Sequence, residues 1–335
     1  MERWEANVPR YRGGTGGHYE SYFVRANHPG RPLGLWIRYT IFVPTGAGRP
    51  AQAELWAAVF SGEPGGTVSV YEAVPLATAS FAGSQSGLQV RIGPAVLDDD
   101  PQGRRGSLSG RAASGGHDIS WDLAYDGGAD PVLLLAERLY DRGFPRAKAL
   151  VPAPMAVFTG QVRVDGEAVQ VNGWTGSQNH NWGSRHTDEY AWGQVAGFDN
   201  APDSFLECSS ARVTVAGLRT PWLTPIVLRH DGREYALNGL RAARRARGSY
   251  GANGTEYAWT LHSASRDEAE RTVVVSAQFR APADSFVSFD YRNPPGGSKT
   301  CLNTKIGMCD VRIEREGAAP VTLRSANRAA FEILS

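Results

Sequence analysis

One segment of the chain concentrates side chains that could carry chemistry. Residues 172–198 read NGWTGSQNHNWGSRHTDEYAWGQVAGF and hold these histidines and large aromatic residues: Trp174, His180, Trp182, His186, Tyr190 and Trp192. Groups that transfer protons, interleaved with aromatic rings, are typical of the wall of a mostly apolar ligand pocket. In the alternative interpretation the rings belong to a β-sheet core and the polar groups form a hydrogen-bonded turn.

Strand alternation limits which of these side chains can share a surface. In an extended chain His180 and Trp182 face the same way, and Phe205 shares a face with Glu207. Burial raises the pKa of carboxyl groups and lowers that of imidazoles, so Glu207 and His180 in an aromatic interior could act as acid and base. The alternative is that Glu207 makes a structural ion pair with an inward arginine such as Arg38.

A second set of polar side chains lies near the start of the chain. In HYESYF the side chains of His18, Glu20 and Tyr22 alternate onto one face of a predicted strand. In LWIRYTIF the charged Arg38 interrupts an otherwise apolar strand and needs a partner. We therefore predict a structural ion pair between Glu20 and Arg38.

The motifs of other common sites are missing or incomplete. His180 and His186 with Asp188 or Glu189 could begin a metal site, but no third ligand follows at a suitable spacing, so we predict no metal. There is no G-x-S-x-G nucleophile motif, and GGTGG lacks the strand-to-helix context of a phosphate loop. We expect that the protein needs no cofactor.

Composition narrows the classes of partner. Charged residues make up 21% of the chain and the formal net charge is +1, which does not favour binding to nucleic acid or to an anionic membrane. The arginine cluster at residues 241–247 is interpreted as a solvated hairpin edge. No apolar run is long enough to span a membrane, and the charged start MERWEANVPR does not resemble a signal peptide, so a cytoplasmic location is expected.

Three cysteines, Cys208, Cys301 and Cys309, are too few for a disulfide framework. Cys301 and Cys309 flank LNTKIGM and could face each other across a hairpin. In a reducing compartment they would stay thiols, and the sequence leaves open whether they are bonded.

The strand pattern predicts an all-β fold. Short runs that alternate apolar and polar residues recur between turns rich in glycine and proline, of which the chain has 39 and 20. The proline-rich segment PRAKALVPAP, residues 145–154, predicts a connection between an N-terminal β-barrel domain at residues 1–152 and a C-terminal one at residues 153–335. Weak echoes such as AELWAAVF and YAWGQVAGF favour two tandem copies of one architecture.

Several sequence blocks resemble a known superfamily. HYESYFVRAN and LWIRYTIFVP near the N-terminus, followed by NHNWG and YAWGQVAGFD, are similar to the lipocalin-like proteins that include AttH-type proteins and carotenoid 1,2-hydratases (hydroxyneurosporene synthases). The resemblance extends more distantly to tocopherol cyclases and lipocalin-like Diels–Alderases. It implies two tandem lipocalin-like antiparallel β-barrels with a cavity for a hydrophobic ligand.

The resemblance also implies roles for two motifs. In the hydratases an H-x-W motif and a later Y-x-D motif are associated with protonation of an isoprenoid double bond. His180-Asn181-Trp182 matches the first, whereas Phe205-Leu206-Glu207 stands at the second with Phe for Tyr and Glu for Asp. This implies Glu207 as proton donor and His180 as the group that orients it. Because Phe205 cannot hold a water molecule, cyclisation or isomerisation fits better than simple hydration.

Three hypotheses about function follow. The first is a cofactor-independent hydratase, cyclase or isomerase that protonates an alkene of an apolar terpenoid or polyketide-derived molecule. The second is a non-catalytic carrier of a hydrophobic ligand, and the third is a pericyclase that works by shape alone. In each, the ligand would be bound by aromatic side chains, namely Tyr22, Trp56, Trp182, Tyr190, Trp192 and Phe205. Substrate identity and oligomeric state stay open.

Overall fold

The computed structural model describes residues 2–46, 48–215, 217–266 and 271–335. The chain divides into two compact units, which are described separately. Unit 1 comprises Met1–Leu133, Leu139–His186 and Arg292–Ser298. Unit 2 comprises Leu134–Arg138, Thr187–Tyr291 and Lys299–Ser335.

Unit 1 is built on a 12-stranded antiparallel sheet. It is preceded by a 3₁₀-helix at Arg3–Asn7, and a short 3₁₀ turn lies at Leu76–Thr78. A further 3₁₀ turn, Glu137–Leu139, has its first two residues in unit 2 and its last in unit 1. The strands are β1 (Gly16–Asn27), β2 (Leu33–Thr45), β3 (Gln52–Ser61), β4 (Val68–Pro75), β5 (Ala79–Ser84), β6 (Gly87–Ile92), β7 (Ala95–Asp99), β8 (Arg105–Ser114), β9 (His117–Asp126), β10 (Val132–Leu133), β11 (Ala147–Val164) and β12 (Glu167–Gly183).

The sheet of unit 1 curls into a barrel. Its strand order is β4-β3-β2-β1-β12-β11-β9-β8-β7-β6-β5, with β10 paired to β11. The barrel closes where β4 meets β8: Tyr71 N–H donates to Ser114 Oγ (2.9 Å) and Ala113 N–H donates to Glu72 Oε1 (2.8 Å). Closure of this kind removes an exposed sheet edge.

Alternating residues of these strands fill the barrel interior. Tyr22 and Val24 of β1 pack with the same-facing residues of β2 and β3 in one buried cluster. Inside it Trp121 Nε1–H donates to Tyr39 Oη (3.1 Å), which in turn donates to the carbonyl of Val96 (2.8 Å). The aromatic and β-branched residues that favour strands therefore also form the core.

Unit 2 contains a 10-stranded antiparallel sheet and a separate two-stranded one. The helix α1 (Leu240–Arg245) and a 3₁₀ turn at Ala283–Ser285 interrupt the strands. The strands are β13 (Glu189–Phe198), β14 (Ala201–Arg212), β15 (Thr214–Val215), β16 (Leu218–Arg219), β17 (Ile226–His230), β18 (Arg233–Leu237), β19 (Arg247–Ala252), β20 (Glu256–Arg266), β21 (Thr272–Pro282), β22 (Val287–Arg292), β23 (Ser298–Arg315) and β24 (Val321–Leu334).

The large sheet of unit 2 also wraps around an aromatic core. Its order is β18-β17-β14-β13-β24-β23-β21-β20-β19, with β22 paired to β23. The ring of Trp259 stacks on Phe279 and Phe331 at centroid distances of 5.1 and 6.1 Å. Trp259 Nε1–H crosses from β20 to donate to Ser210 Oγ on β14 (3.3 Å). This contact joins opposite parts of the curled sheet.

The predicted all-β fold with two antiparallel barrels is confirmed, but several local predictions differ from the structure. The division predicted at residues 152 and 153 lies inside β11, which pairs with both β9 and β12 of the first sheet. The first sheet therefore continues to Gly183. Pro152 and Pro154 lie within β11 at its register shifts, so this proline-rich segment is part of a strand and not a linker. Of the arginine cluster, Arg241, Arg244 and Arg245 lie in α1 rather than on a hairpin edge, whereas Arg247 begins the edge strand β19.

The positions of two cysteines differ from the prediction. Cys301 and Cys309 lie on the same strand, β23, and do not face each other across a hairpin. Both are buried free thiols, as is Cys208. In the described part of the chain no helix is sufficiently long and apolar to cross a membrane.

Gly193 of β13 tests how tightly the core of unit 2 is packed. A Cβ atom at this position would lie 2.5 Å from Cζ of Phe279. We expect Gly193→Ala to lower the free energy of unfolding by about 1–3 kcal/mol, because the Phe279 ring must move. Chemical denaturation monitored by tryptophan fluorescence measures the change. Gly239→Ala, in the same unit with no atom within 4 Å, is the matched control and should be nearly neutral.

Candidate functional site

A buried carboxylate organises the polar interior of unit 1. Glu20 of β1 has no exposed surface. It accepts hydrogen bonds from the backbone N–H groups of Arg10 (2.7 Å) and Tyr11 (2.8 Å), and from the side chains of Tyr22 (3.0 Å), His18 (2.9 Å) and His180 (2.8 Å). Donors therefore surround both carboxylate oxygens.

The pairing of β1 with β12 brings these side chains together. In this antiparallel register Tyr22 lies opposite His180, and Glu20 lies opposite Trp182. Alternation then directs Glu20, Tyr22 and His180 to the same face of the sheet, which is the barrel interior. The sequence-based prediction that His18, Glu20 and Tyr22 share a face is confirmed by their mutual hydrogen bonds.

The contacts of His180 define its protonation state. Its Nδ1 lies 2.7 Å from the carbonyl oxygen of Ala6, and its Nε2 lies 2.8 Å from Oε1 of Glu20. A carbonyl can only accept a hydrogen bond, and the Glu20 carboxylate already accepts four others. Both ring nitrogens must donate, so the geometry favours an imidazolium ion. The ring is stacked on Tyr22 (4.3 Å between centroids) and lies 4.6 Å from Trp182.

These contacts hold Glu20 in its ionised form. Burial alone would raise the pKa of Glu20, but hydrogen bonds from His18 and His180, the charge of His180 and the Arg10 N–H outweigh that effect. The pKa of Glu20 therefore lies well below its usual range. A buried carboxylate that holds an imidazolium is an arrangement in which the imidazolium, not the carboxyl group, carries the transferable proton.

The N-terminal segment completes the site. Besides the Ala6 carbonyl that binds His180, the Asn7 carbonyl lies 3.3 Å from Tyr22 Oη and shares the single hydroxyl proton that Tyr22 donates to Glu20. The side-chain amides of Asn7 and Gln178 pair reciprocally (3.0 and 3.1 Å), and Asn7 also donates to Asp99. Residues 6–11 thus supply the backbone groups that the buried side chains need.

Asp99 adds a second acidic group to this interior. Burial, the largest effect, raises its pKa to about 6, although hydrogen bonds from the Leu88 N–H and Asn7 act in the opposite direction. Asp99 therefore changes charge at a pH where Glu20 stays ionised.

One member of the network reaches solvent. The His18 side chain is partly exposed and lines an open cleft of about 270 Å³. His18, Glu20 and His180 thus form a continuous hydrogen-bonded series from the cleft to the barrel interior. Tyr11 lies beside His18, with ring centroids 5.4 Å apart.

The predicted ion pair between Glu20 and Arg38 is wrong. Arg38 of β2 pairs with Phe23 of β1, so its side chain lies on the face of the sheet opposite to Glu20. There the Arg38 guanidinium donates to Ser21 Oγ (2.7 Å). Two histidines take the place that was predicted for the arginine.

Glu207 lies in unit 2 and has a different environment. Its Oε1 accepts from Trp192 Nε1–H and its Oε2 accepts from Gln194 Nε2–H, both at 2.8 Å. His180 and Glu207 belong to different units, and each is hydrogen-bonded within its own unit. The predicted pairing of His180 with Glu207 is therefore replaced by Glu20 with His180.

The other predicted binding residues are divided between the units. In unit 1 Tyr22 lies in the interior and Trp182 contacts the Arg10 guanidinium at 4.9 Å, whereas Trp56 packs on Tyr71 on the opposite face of β3. In unit 2 the remaining residues are buried or partly buried: Tyr190, Trp192 and Phe205. Tyr190 Oη donates to Glu332 Oε2 (3.2 Å), and Lys305 Nζ lies 5.2 Å from the Trp192 ring.

Six residues that contribute to the site do not stand out in the sequence: Ala6, Asn7, Arg10, Tyr11, Asp99 and Gln178. The backbone of Ala6 and the side chain of Asn7 precede any strand, and neither residue type is distinctive. Gln178 stands two residues before His180, so alternation alone could have placed it on the same face. Asp99 ends β7 and carries no motif. Across the described residues no group of three or more His, Cys, Asp or Glu is arranged to hold a metal ion.

Solved structures show which fold this is. A candidate AttH protein of Nitrosomonas europaea aligns over 98% of this chain and 96% of its own, with a TM-score of 0.58 and 13% identity. CghA aligns over 95% and 88% with a TM-score of 0.59 and 12% identity. This chain has the AttH-like fold. Kievitone hydratase from Nectria haematococca is similar in the same way, covering 100% and 92% with a TM-score of 0.55 and 11% identity.

Sequence comparison finds relatives that align with most of this chain. An uncharacterised protein of Mycobacterium tuberculosis, Rv0493c in strain H37Rv and MT0513 in strain CDC 1551, is 27% identical over 320 residues. The match covers 94% of this chain and 86% of the relative. No family model matches the sequence.

Replacing Glu20 tests the role of the buried carboxylate. We expect Glu20→Gln to lower the free energy of unfolding by about 3–5 kcal/mol at pH 7, because it leaves the His180 imidazolium without its counter-charge. Thermal and chemical denaturation measure this loss. Glu167→Gln, at the exposed first residue of β12 in the same unit, should have little effect.

The low pKa of Glu20 also predicts how the free energy of unfolding depends on pH. Because the pKa of Glu20 is lower in the folded protein than in the unfolded chain, its stabilising effect is complete above about pH 5 and is lost as the pH falls through the folded value. The difference in unfolding free energy between the wild type and Glu20→Gln should therefore shrink below about pH 4. A difference that stays constant down to pH 3 would contradict the assignment.

Proposed function

We propose that the protein is a cofactor-independent acid–base enzyme that acts on an apolar small molecule, and that the His180 imidazolium is its proton donor. The observation that carries this proposal is that both His180 nitrogens lie against acceptors inside an aromatic barrel. A proton source in a low-dielectric, aromatic interior suits protonation of a carbon–carbon double bond. That a hydratase shares this fold is consistent with the proposal.

The geometry suggests which proton is transferred. Nε2–H of His180 keeps its hydrogen bond to Glu20, whose charge stabilises the imidazolium, while Nδ1–H donates to the Ala6 carbonyl. A substrate alkene that takes the place of this carbonyl would receive the Nδ1 proton and become a carbocation. The π faces of Tyr22 and Trp182 beside the ring would stabilise the positive charge. The neutral Nδ1 would then accept a proton from a neighbouring carbon, which completes an isomerisation or a cyclisation.

This assignment changes the role expected for Glu207. Both of its oxygens accept N–H donors, an arrangement that favours the carboxylate over the protonated acid. Glu207 is therefore better suited to accept a proton or to stabilise positive charge than to start the reaction.

A non-catalytic carrier is the second candidate. The observation in its favour is that neither His180 nor Glu20 has exposed surface. The N-terminal segment satisfies hydrogen bonds of both side chains. In a carrier these bonds would simply satisfy a buried polar core.

Activity in deuterated water tests the proposal. The purified protein is incubated in D₂O with a panel of terpenoids and polyenes, and the products are analysed by liquid chromatography and mass spectrometry. We expect a product isomer that carries solvent deuterium, and at least a 100-fold slower reaction in His180→Gln, since general acids contribute about 10²–10⁴-fold. His186→Gln, which alters a buried histidine stacked on Tyr19 in the same unit, should keep most of the activity.

Each competing hypothesis has its own outcome. Compounds that bind to the wild type and to His180→Gln and are recovered unchanged would make the protein a carrier. A deuterium-free product formed equally by both would indicate a pericyclase. If Glu207→Gln abolishes deuterium incorporation while His180→Gln does not, Glu207 is the proton donor and the present assignment is wrong.

A further inference from the structure

The open cleft beside His18 has an unusual lining. It is formed by residues 10–14 and 16–18, of which four are glycines and the others are Arg10, Tyr11, Arg12 and His18. Arg10 and Tyr11 of this segment bind Glu20 through their backbone N–H groups, and residues 16–18 are the start of β1. The cleft has a volume of about 270 Å³, slightly below that of typical small-molecule pockets, so it suits one end of a ligand.

Two guanidinium groups in this cleft have unused hydrogen-bond donors. Arg10 Nη2 donates to the Glu5 carbonyl (2.8 Å), but its buried Nε has no partner within the part of the chain that the structure describes. Arg12 is exposed and forms no hydrogen bond or ion pair with any described residue. Both arginines line the cleft, so an anion there can accept hydrogen bonds from the exposed Arg12 guanidinium and from N–H groups of Arg10 other than its buried Nε.

No acidic side chain competes for these donors at the cleft. None of the described residues that line it is Asp or Glu. Glu20, the neighbouring carboxylate, is fully engaged by its own donors on the interior side. The cleft therefore carries net positive charge from Arg10 and Arg12.

The glycines keep the cleft open to a ligand. Gly13 and Gly14 adopt positive φ angles of 87° and 97°, which glycine adopts readily. A Cβ atom at either position would meet nothing within 4 Å, so the backbone here borders open space. A planar anion can approach the guanidinium groups without meeting side chains of the loop.

We propose that this cleft binds the carboxylate of the substrate, so that the enzyme acts on an apolar molecule that carries an acidic head group. Guanidinium groups bind carboxylates through paired N–H donors, and a desolvated guanidinium gains more from a charged acceptor than from a hydroxyl. The inference rests on the proposed function only in taking the bound acid to be the substrate. His18 lines the cleft and is hydrogen-bonded to Glu20, so a head group bound in the cleft would lie next to the hydrogen-bonded series that ends at His180.

Binding of three probes with one hydrocarbon chain tests the proposal. Dissociation constants for geranic acid, geraniol and geranyl phosphate are measured by ligand-observed NMR at pH 7 with the whole protein. We expect geranic acid to bind at least tenfold more tightly than geraniol, and the preference to weaken at high salt. Arg12→Gln and Arg10→Gln should each remove most of the preference. Arg241→Gln, which removes one exposed positive charge in α1, should keep it.

Every outcome decides the proposal. Equal affinity for the acid and the alcohol, or a preference that survives both Arg12→Gln and Arg10→Gln, would overturn it. Tighter binding of geranyl phosphate than of geranic acid would overturn the carboxylate assignment in favour of a phosphate. Because binding is measured without turnover, a protein that selects the acid but forms no deuterated product would refute the proposed catalysis and leave the anion site intact.

Discussion

The ionised carboxylate of Glu20 is the constraint around which unit 1 is arranged. A charge with no solvent contact is tolerated only when donors compensate for its lost hydration. Here the compensation comes from three separate parts of the chain: the backbone at Arg10 and Tyr11, the neighbouring residues of β1, and His180 on β12. The carboxylate therefore fixes the position of the N-terminal segment and the protonation of the histidine together.

The two buried glutamates show how environment separates similar side chains. Glu20 is held by groups that can carry a proton, two histidines and a tyrosine. Glu207 is held by an indole and an amide N–H, which cannot exchange protons with it at neutral pH. The groups around Glu20 can carry a proton at neutral pH, which is why we propose the acid–base role for Glu20 and His180 rather than for the residue that the resemblance indicated.

Sequence alone could predict the faces of single strands but not the meeting of strands. Period-two alternation correctly placed His18, Glu20 and Tyr22 together, and the H-x-W block contains His180, which the structure places beside Glu20. Alternation cannot say which face of β2 matches which face of β1, so Arg38 was assigned to the wrong side. The contributions of Ala6 and Arg10 come from backbone groups, which leave no trace in residue type. The predicted domain division also differs from the structure, because prolines predict a linker where the chain forms the strand β11.

The pairing of β1 with β12 also has a consequence for how the chain folds. Glu20 and His180 are separated by 160 residues, and in unit 2 Tyr190 and Glu332 are separated by 142. Each unit therefore contains a strand pairing of very high sequence separation, which forms slowly because a long loop must close before the contacts form. During synthesis β1 would wait, with its charged glutamate exposed to water, until β12 has left the ribosome. Folding of unit 1 should thus be a late and concerted event rather than a stepwise addition of hairpins.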